Sequence, residues 1–235
     1  IQIPHLLIFH NNTIQNRNKN YIGWLTVPTD SQVSYVTFSM CNFINLSHTN
    51  KNCGGCGLWM NNIGFTHFII TFDGCLFENN FASNSNGGAI DYGSGTNSLD
   101  SNEIIFLGCK FIKNNLNKNG GAISVYTKYP VKIHNCSFYD NNAINGGAIY
   151  IDPKSKTMTG NCSIVNCSFE NNFGATNGHA IYLMQYTQAY NYFISGTTFM
   201  NNFRADSPET EGIIVSEESQ LFLNKNNWKM HFHIL

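Results

Sequence analysis

Short runs along the chain alternate apolar and polar residues with a period of two. Apolar residues at 36 and 38, 70 and 72, 104 and 106, 131 and 133, 162 and 164, and 192 and 194 (Val36, Phe38; Ile70, Phe72; Ile104, Phe106; Val131, Ile133; Cys162, Ile164; Tyr192, Ile194) are separated by polar or variable residues. That is the signature of a strand with one buried face. Three residues after each pair comes a Cys, or Thr in the last case, and two further on an aromatic: Cys41 and Phe43, Cys75 and Phe77, Cys109 and Phe111, Cys136 and Phe138, Cys167 and Phe169, Thr197 and Phe199. A second alternating run follows in Ile90 and Tyr92, Ile123 and Val125, Ile149 and Ile151, Ile181 and Leu183.

These runs belong to one repeat. Its units start at 41, 75, 109, 136, 167 and 197, a period that falls in the 20 to 50 residue range of repeat architectures. After the Cys and Phe each full unit has an Asn (Asn80, Asn114, Asn141, Asn172) and then Gly-Gly-Ala-Ile, at 87–90, 120–123 and 146–149, with Gly178-His179-Ala180-Ile181 in the fourth. Cys41 and Phe43 lead to the weaker Gly54-Gly55-Cys56, and Phe199 and Asn202 to Gly212-Ile213-Ile214. Phe9 and Asn12 read as the remnant of one more copy.

The Cys and Phe are out of phase by one residue with the apolar pair before them. A bend must therefore lie between, and the residue before the Cys is Gly74, Gly108, Asn135, Asn166 or Gly196, all types that tolerate positive φ. The expectation is an all-β, right-handed parallel β-helix of about six to eight coils. Residues 1–35 would be a degenerate first coil, 36–216 six repeats and 217–235 a partial coil, together a single domain and a piece of a longer chain. Stacked coils would align Phe on Phe, Ile on Ile and Asn on Asn, as side-chain ladders in parallel stacks do.

Composition narrows the function classes. Hydrophobic content of 42%, with 14% aromatics, supports a sizeable core. Only 11% of residues are charged and the net charge is −1, which gives no electrostatic basis for binding nucleic acid or an anionic membrane. Asn, about one residue in seven, supplies the polar surface instead. Apolar runs such as Ile104 to Leu107 are too short for a membrane helix. Residues Ile1 to Phe9 make a poor signal peptide, lacking a charged n-region, so the chain reads as processed.

The Phe-x-x-Asn and Gly-Gly-Ala-Ile elements, over roughly residues 36–216, resemble the repeats of the chlamydial polymorphic outer-membrane protein family, also seen in surface proteins of some protists. That resemblance implies a pectin-lyase-like β-helix at the cell surface, serving adhesion. No C-terminal membrane barrel accompanies it here, so the family's secretion route does not carry over.

Several constellations were weighed as chemistry. Asp91 and Asp152 sit one and three residues after their Ile, at different offsets, so they do not stack as the carboxylate pair of a glycosidase. His179 falls where other copies have Gly and reads as structural. His231 and His233 lie in a terminal segment and read as a frayed end. Cys53 and Cys56 have CxxC spacing with His48 nearby; a local disulfide is favoured over zinc or redox catalysis because no second CxxC or thioredoxin-type unit accompanies them. Cys41, Cys75, Cys109, Cys136 and Cys167 should form a core column of free thiols, beside a ladder of Phe43, Phe77, Phe111, Phe138, Phe169 and Phe199. Of five sequons, Asn135 and Asn166 are explained by the turn, leaving Asn11, Asn45 and Asn161 as glycosylation candidates.

The expected function is therefore a non-catalytic extracellular or cell-surface structural or adhesin-like rod, with no enzyme activity, cofactor or metal. Its partners would be itself, in a fibre, or surface glycans and proteins. The alternative is a carbohydrate-binding or polysaccharide-processing β-helix, which would need aromatics or acids clustered across adjacent coils.

Overall fold

Four parallel β-sheets wrap one apolar interior, and every strand pairing among the described residues is parallel. In this computed structural model residues 5–15, 34–48, 58–62, 68–83, 86–94, 102–127, 129–153, 161–184, 191–202, 213–215, 220–224, 227–228 and 233–234 are described. The fold is an all-β parallel solenoid, with no helix among these residues.

One coil shows the plan. Strand Asn102–Leu107 lies in sheet 1, Lys110–Ile112 in sheet 2, Asn115–Leu116 in sheet 3 and Ile123–Tyr126 in sheet 4. Among the described residues sheets 1 and 2 have eight strands each, sheet 3 has five and sheet 4 has seven. In sheet 1 the inward columns run Val36, Ile70, Ile104, Val131, Cys162, Tyr192 and Phe38, Phe72, Phe106, Ile133, Ile164, Ile194, in the registers that the period-two pattern requires. All twelve are buried.

Three corners per coil use the left-handed backbone region. The first is the one legible in the sequence: Gly74, Gly108, Asn135, Asn166 and Gly196 all have φ between 53° and 62°, and Met40 joins them at 52°. A second corner precedes the buried Asn and had no sequence expectation. It is occupied by Asn45, Asn79, Lys113, Asp140, Asn171 and Asn201, with φ of 53° to 55°. Asn and Asp pay little for this conformation because their short side chains bond locally, whereas Lys113 and Met40 hold it only through the coils on either side. The third corner is the first Gly of the Gly-Gly pair, for example Gly120 at 74°.

The second Gly answers a different need. A Cβ on Gly88 would collide with the carbonyl oxygen of Gly121, and one on Gly121 with that of Gly147, so successive coils touch backbone to backbone here. His179 ends that column. Its coil carries an extra residue in sheet 3, a bulge between the Ala143 and Asn145 pairings, and Gly174 stands where Ala143 and Leu116 stand in neighbouring coils.

The first coil differs in register from its sequence reading. Phe9 pairs with Phe38 and Ile14 with Phe43, so Asn12 falls at the place of Cys41, not at that of the buried Asn. The motif spacing misled because Phe9-x-x-Asn12 has the spacing of Phe77-x-x-Asn80 while belonging to sheet 1. The Cys53 to Cys56 segment and the 54–56 copy of the Gly-Gly block lie outside the described residues, as do residues 231 and 232.

Candidate functional site

Inside the solenoid the repeat residues form three adjoining columns. Phe43, Phe77, Phe111, Phe138, Phe169 and Phe199 stack with centroids 4.6–5.0 Å apart and planes within 5°. All six are buried, so each contributes both transfer free energy and ring stacking.

Beside them runs a ladder of buried amides. Asn80, Asn114, Asn141 and Asn172 each donate one Nδ2 hydrogen to Oδ1 of the next Asn, at 2.8, 3.0, 2.9 and 2.9 Å, ending on Asn202. The other Nδ2 hydrogen goes to the carbonyl of the Phe one coil earlier: for Asn114 this is Phe77, at 3.0 Å. Each Oδ1 also accepts the backbone N–H of the preceding rung, as Asn114 does from Asn80 at 3.2 Å. Both donors and both lone pairs of Asn114, Asn141 and Asn172 are thus matched in the dry interior, where an unmatched amide would be costly. The ladder starts at Asn80, since Leu46 holds the same place one coil earlier and gives only its backbone N–H.

The third column is Cys41, Cys75, Cys109, Cys136 and Cys167, buried and without disulfides, continued by Thr197. Each Sγ points its hydrogen at main-chain carbonyls: Cys109 at Phe72 and Leu107, at 3.4 and 3.5 Å. Thr197 Oγ1 repeats this geometry on Ile164 and Ser195, at 3.4 and 3.2 Å. Burial pushes the Cys41 thiol up, and the Cys136 thiol followed by burial pushes Cys167 up. Cys162, outside this column, is pushed up by burial alone.

Outside the core, chemistry gathers on the far face of sheet 4, and the sequence reading missed it. Strands Ile90–Ser94, Ile123–Tyr126, Ile149–Asp152 and Ile181–Leu183 turn Ile inward. The alternate residues Asp91, Ser124, Tyr150 and Tyr182 form one row on the opposite face, and Tyr126 and Asp152 are paired in the next. Tyr150 lies 5.6 Å, centroid to centroid, from both Tyr126 and Tyr182. Asn119 donates to the Tyr126 hydroxyl at 3.3 Å and heads an outer amide chain in which Asn177 donates to Asn145 and Asn145 to Asn119, each at 2.8 Å. Tyr150 donates to the Met184 sulfur at 2.6 Å.

Burial first, then the charges of Asp91 and Asp152, pushes the Tyr126 hydroxyl up to about 12. Tyr182 is raised by burial and by Asp152. These phenols are therefore protonated donors at neutral pH. The two carboxylates stand in different rows and two strands apart, about 12 Å at Cα from the strand and residue spacings. Asp91, Ser124, Tyr150 and Asp152 are buried, so what this face offers a polar ring is half-buried Tyr126 and Tyr182.

The other singled-out residues do not join this face. Buried His179 accepts the Gly174 N–H through Nδ1 at 3.3 Å, beside Phe173. Asn11 and Asn45 are exposed, yet both sit at left-handed corners, φ 53° and 55°, so the reason given for Asn135 and Asn166 covers them equally. Asn161 is exposed at the start of a sheet 1 strand and accepts from Asn191 at 3.3 Å. Comparison of the chain with protein-family models, curated proteins and solved structures finds no match.

Proposed function

We propose that the protein is a non-catalytic structural or adhesin-like rod of the cell surface or extracellular space. One observation carries this reading: the residues that define the repeat, Cys, Phe, Asn and Gly-Gly, are consumed in columns that bind coil to coil. What the repeat specifies is stacking, not a reacting group. The resemblance to polymorphic outer-membrane repeats supports the location and the adhesive role, and glycans on Asn11, Asn45 or Asn161 accord with it. End-to-end association belongs to the same reading, because the unpaired strand edges of a parallel stack are templates for further pairing.

A carbohydrate-binding role is the second reading, favoured by Tyr126, Tyr150 and Tyr182 beside Asp91 and Asp152. The two part in one experiment. Purified chain is incubated with a panel of acidic and neutral polysaccharides and then run against a glycan array. A rod leaves every polymer intact and scatters X-rays as an elongated particle; release of new reducing or unsaturated ends would sink the non-catalytic reading. Array binding lost in Tyr126→Ala and Tyr182→Ala variants would establish the second reading.

A further inference from the structure

The thiol column has a spacing that suits one kind of ligand. Cys41, Cys75, Cys109 and Cys167 make the same two contacts, to the carbonyl two residues back and to one from the coil before: Ser39 and Phe9, Asp73 and Phe38, Leu107 and Phe72, Val165 and Ile133. Cys136 keeps the first of these, to His134 at 3.2 Å. Like contacts fix like rotamers, so sulfur follows sulfur at the coil spacing. The Phe rings two residues away measure that spacing at 4.7, 4.8, 4.8 and 4.6 Å.

Two bonding geometries can be tested against it. A disulfide needs Cβ atoms about 3.5–4.5 Å apart and sulfurs at about 2.05 Å, which parallel side chains one coil apart do not provide. A metal held in line between two sulfurs needs two metal–sulfur bonds, which at the zinc–sulfur length of about 2.3 Å span about 4.6 Å, a little less for Cu(I) and a little more for Ag(I). The column matches the second. Tetrahedral zinc is not served, because among the described residues no three His, Cys, Asp or Glu side chains converge on one point.

We propose that adjacent thiols of this column bind a soft monovalent d10 cation, Cu(I) or Ag(I), in linear two-sulfur coordination. Two thiols lose their protons, two metal–sulfur bonds form and no electron moves, so the bound unit carries one negative charge and two protons leave. Five sulfurs in line make two such pairs, Cys41 with Cys75 and Cys109 with Cys136 being one arrangement. Exposed corner residues Gly108, Asn135 and Asn166 each precede a thiol directly, so the ion enters through a single turn of backbone.

Thr197 supplies the control, since it shows that a hydroxyl fills this place with the same hydrogen bonds. The full chain carrying Cys53→Ser and Cys56→Ser, reduced and free of oxygen, is titrated with Cu(I) against a chromophoric Cu(I) chelator. The expected result is two ions per chain, an affinity rising about a hundredfold per pH unit from the two released protons, and one ion per chain after Cys109→Thr and Cys136→Thr are added. X-ray absorption of the copper-loaded, column-intact chain should show two sulfur neighbours. An ion count unchanged by the Thr pair, no binding at all, or three or more sulfurs per copper would each overturn the proposal; the absorption measurement stands even if the Thr variant fails to fold.

Discussion

The Asn and Cys columns run side by side through the same dry interior, one rung per coil, but they bind the coils differently. Each Asn rung is shared: Asn141 accepts from Asn114 and donates to Asn172, so its side chain belongs to three coils at once. A Cys rung is private only in its side chain: its S–H points at main-chain carbonyls, one in its own coil and one in the coil before, that already take part in strand pairing. Both columns change residue only at their ends, but they end differently. Thr197 and Asn12 keep the Cys bond to the carbonyl two residues back, whereas Leu46 gives the Asn column only its backbone N–H.

The largest effect should come from breaking the ladder in its middle. Asn141→Ala strands the Asn114 side-chain and main-chain N–H groups and removes a donor from Asn172, so a loss of about 4 kcal/mol in denaturant unfolding is expected. A loss below about 1 kcal/mol would show that the rungs are as private as the thiols.

Alkali separates the two regions next, because amides do not titrate. Groups whose acidity is suppressed in the folded chain stay protonated there while the unfolded chain ionises, so stability is complete below the unfolded pKa and falls as pH rises above it. For Cys162 the fall starts near 9, and for Tyr126 it runs from about 10 to about 12 and amounts to about 2 kcal/mol. Thermal melting from pH 8 to 12 should show this, with the upper part reduced by Tyr126→Phe and the remainder carried by Tyr182 and Tyr192, whose hydroxyls burial also raises. Smaller still is Cys136→Thr, expected to cost under about 1 kcal/mol in the same unfolding assay. At the bottom lies Asn145→Ala in the outer amide chain, where solvent replaces the lost bonds: about 0.5 kcal/mol, read by the shift in denaturation midpoint.

Much of this architecture is legible in the sequence because the columns are chemically uniform. Phe77, Phe111 and Phe138, or Asn80, Asn114 and Asn141, repeat at a fixed offset from Cys, and a parallel stack turns equal offsets into contacts. What stayed hidden lacks that uniformity or that contrast. The second corner is Asn or Asp in all but Lys113, yet it directly precedes the ladder position in a chain rich in Asn and so does not stand out from its surroundings. The two-residue strands Phe81–Ala82 and Asn115–Leu116 are too short to show alternation. On the outer face of sheet 4, Tyr126 stands three residues after its Ile while Tyr150 and Tyr182 stand one after theirs, so only the fold brings the rings together. Phe9 and Asn12 show the converse, a correct spacing in the wrong sheet.

The amide-to-amide bonds of the ladder all run one way. Main-chain hydrogen bonds between coils point in both senses, as Gly74 donating forward to Leu107 and Lys110 donating back to Cys75 show. From Asn80 to Asn202 each amide passes one hydrogen forward to the next rung's oxygen, and only its second hydrogen turns back, to a Phe carbonyl. Their dipoles therefore add along the axis instead of cancelling, and the rod is a vector: one end of the amide file offers oxygen, the other hydrogen. Rods stacked end to end would add these vectors only when pointed alike, so a filament that keeps one coil register has a fixed direction.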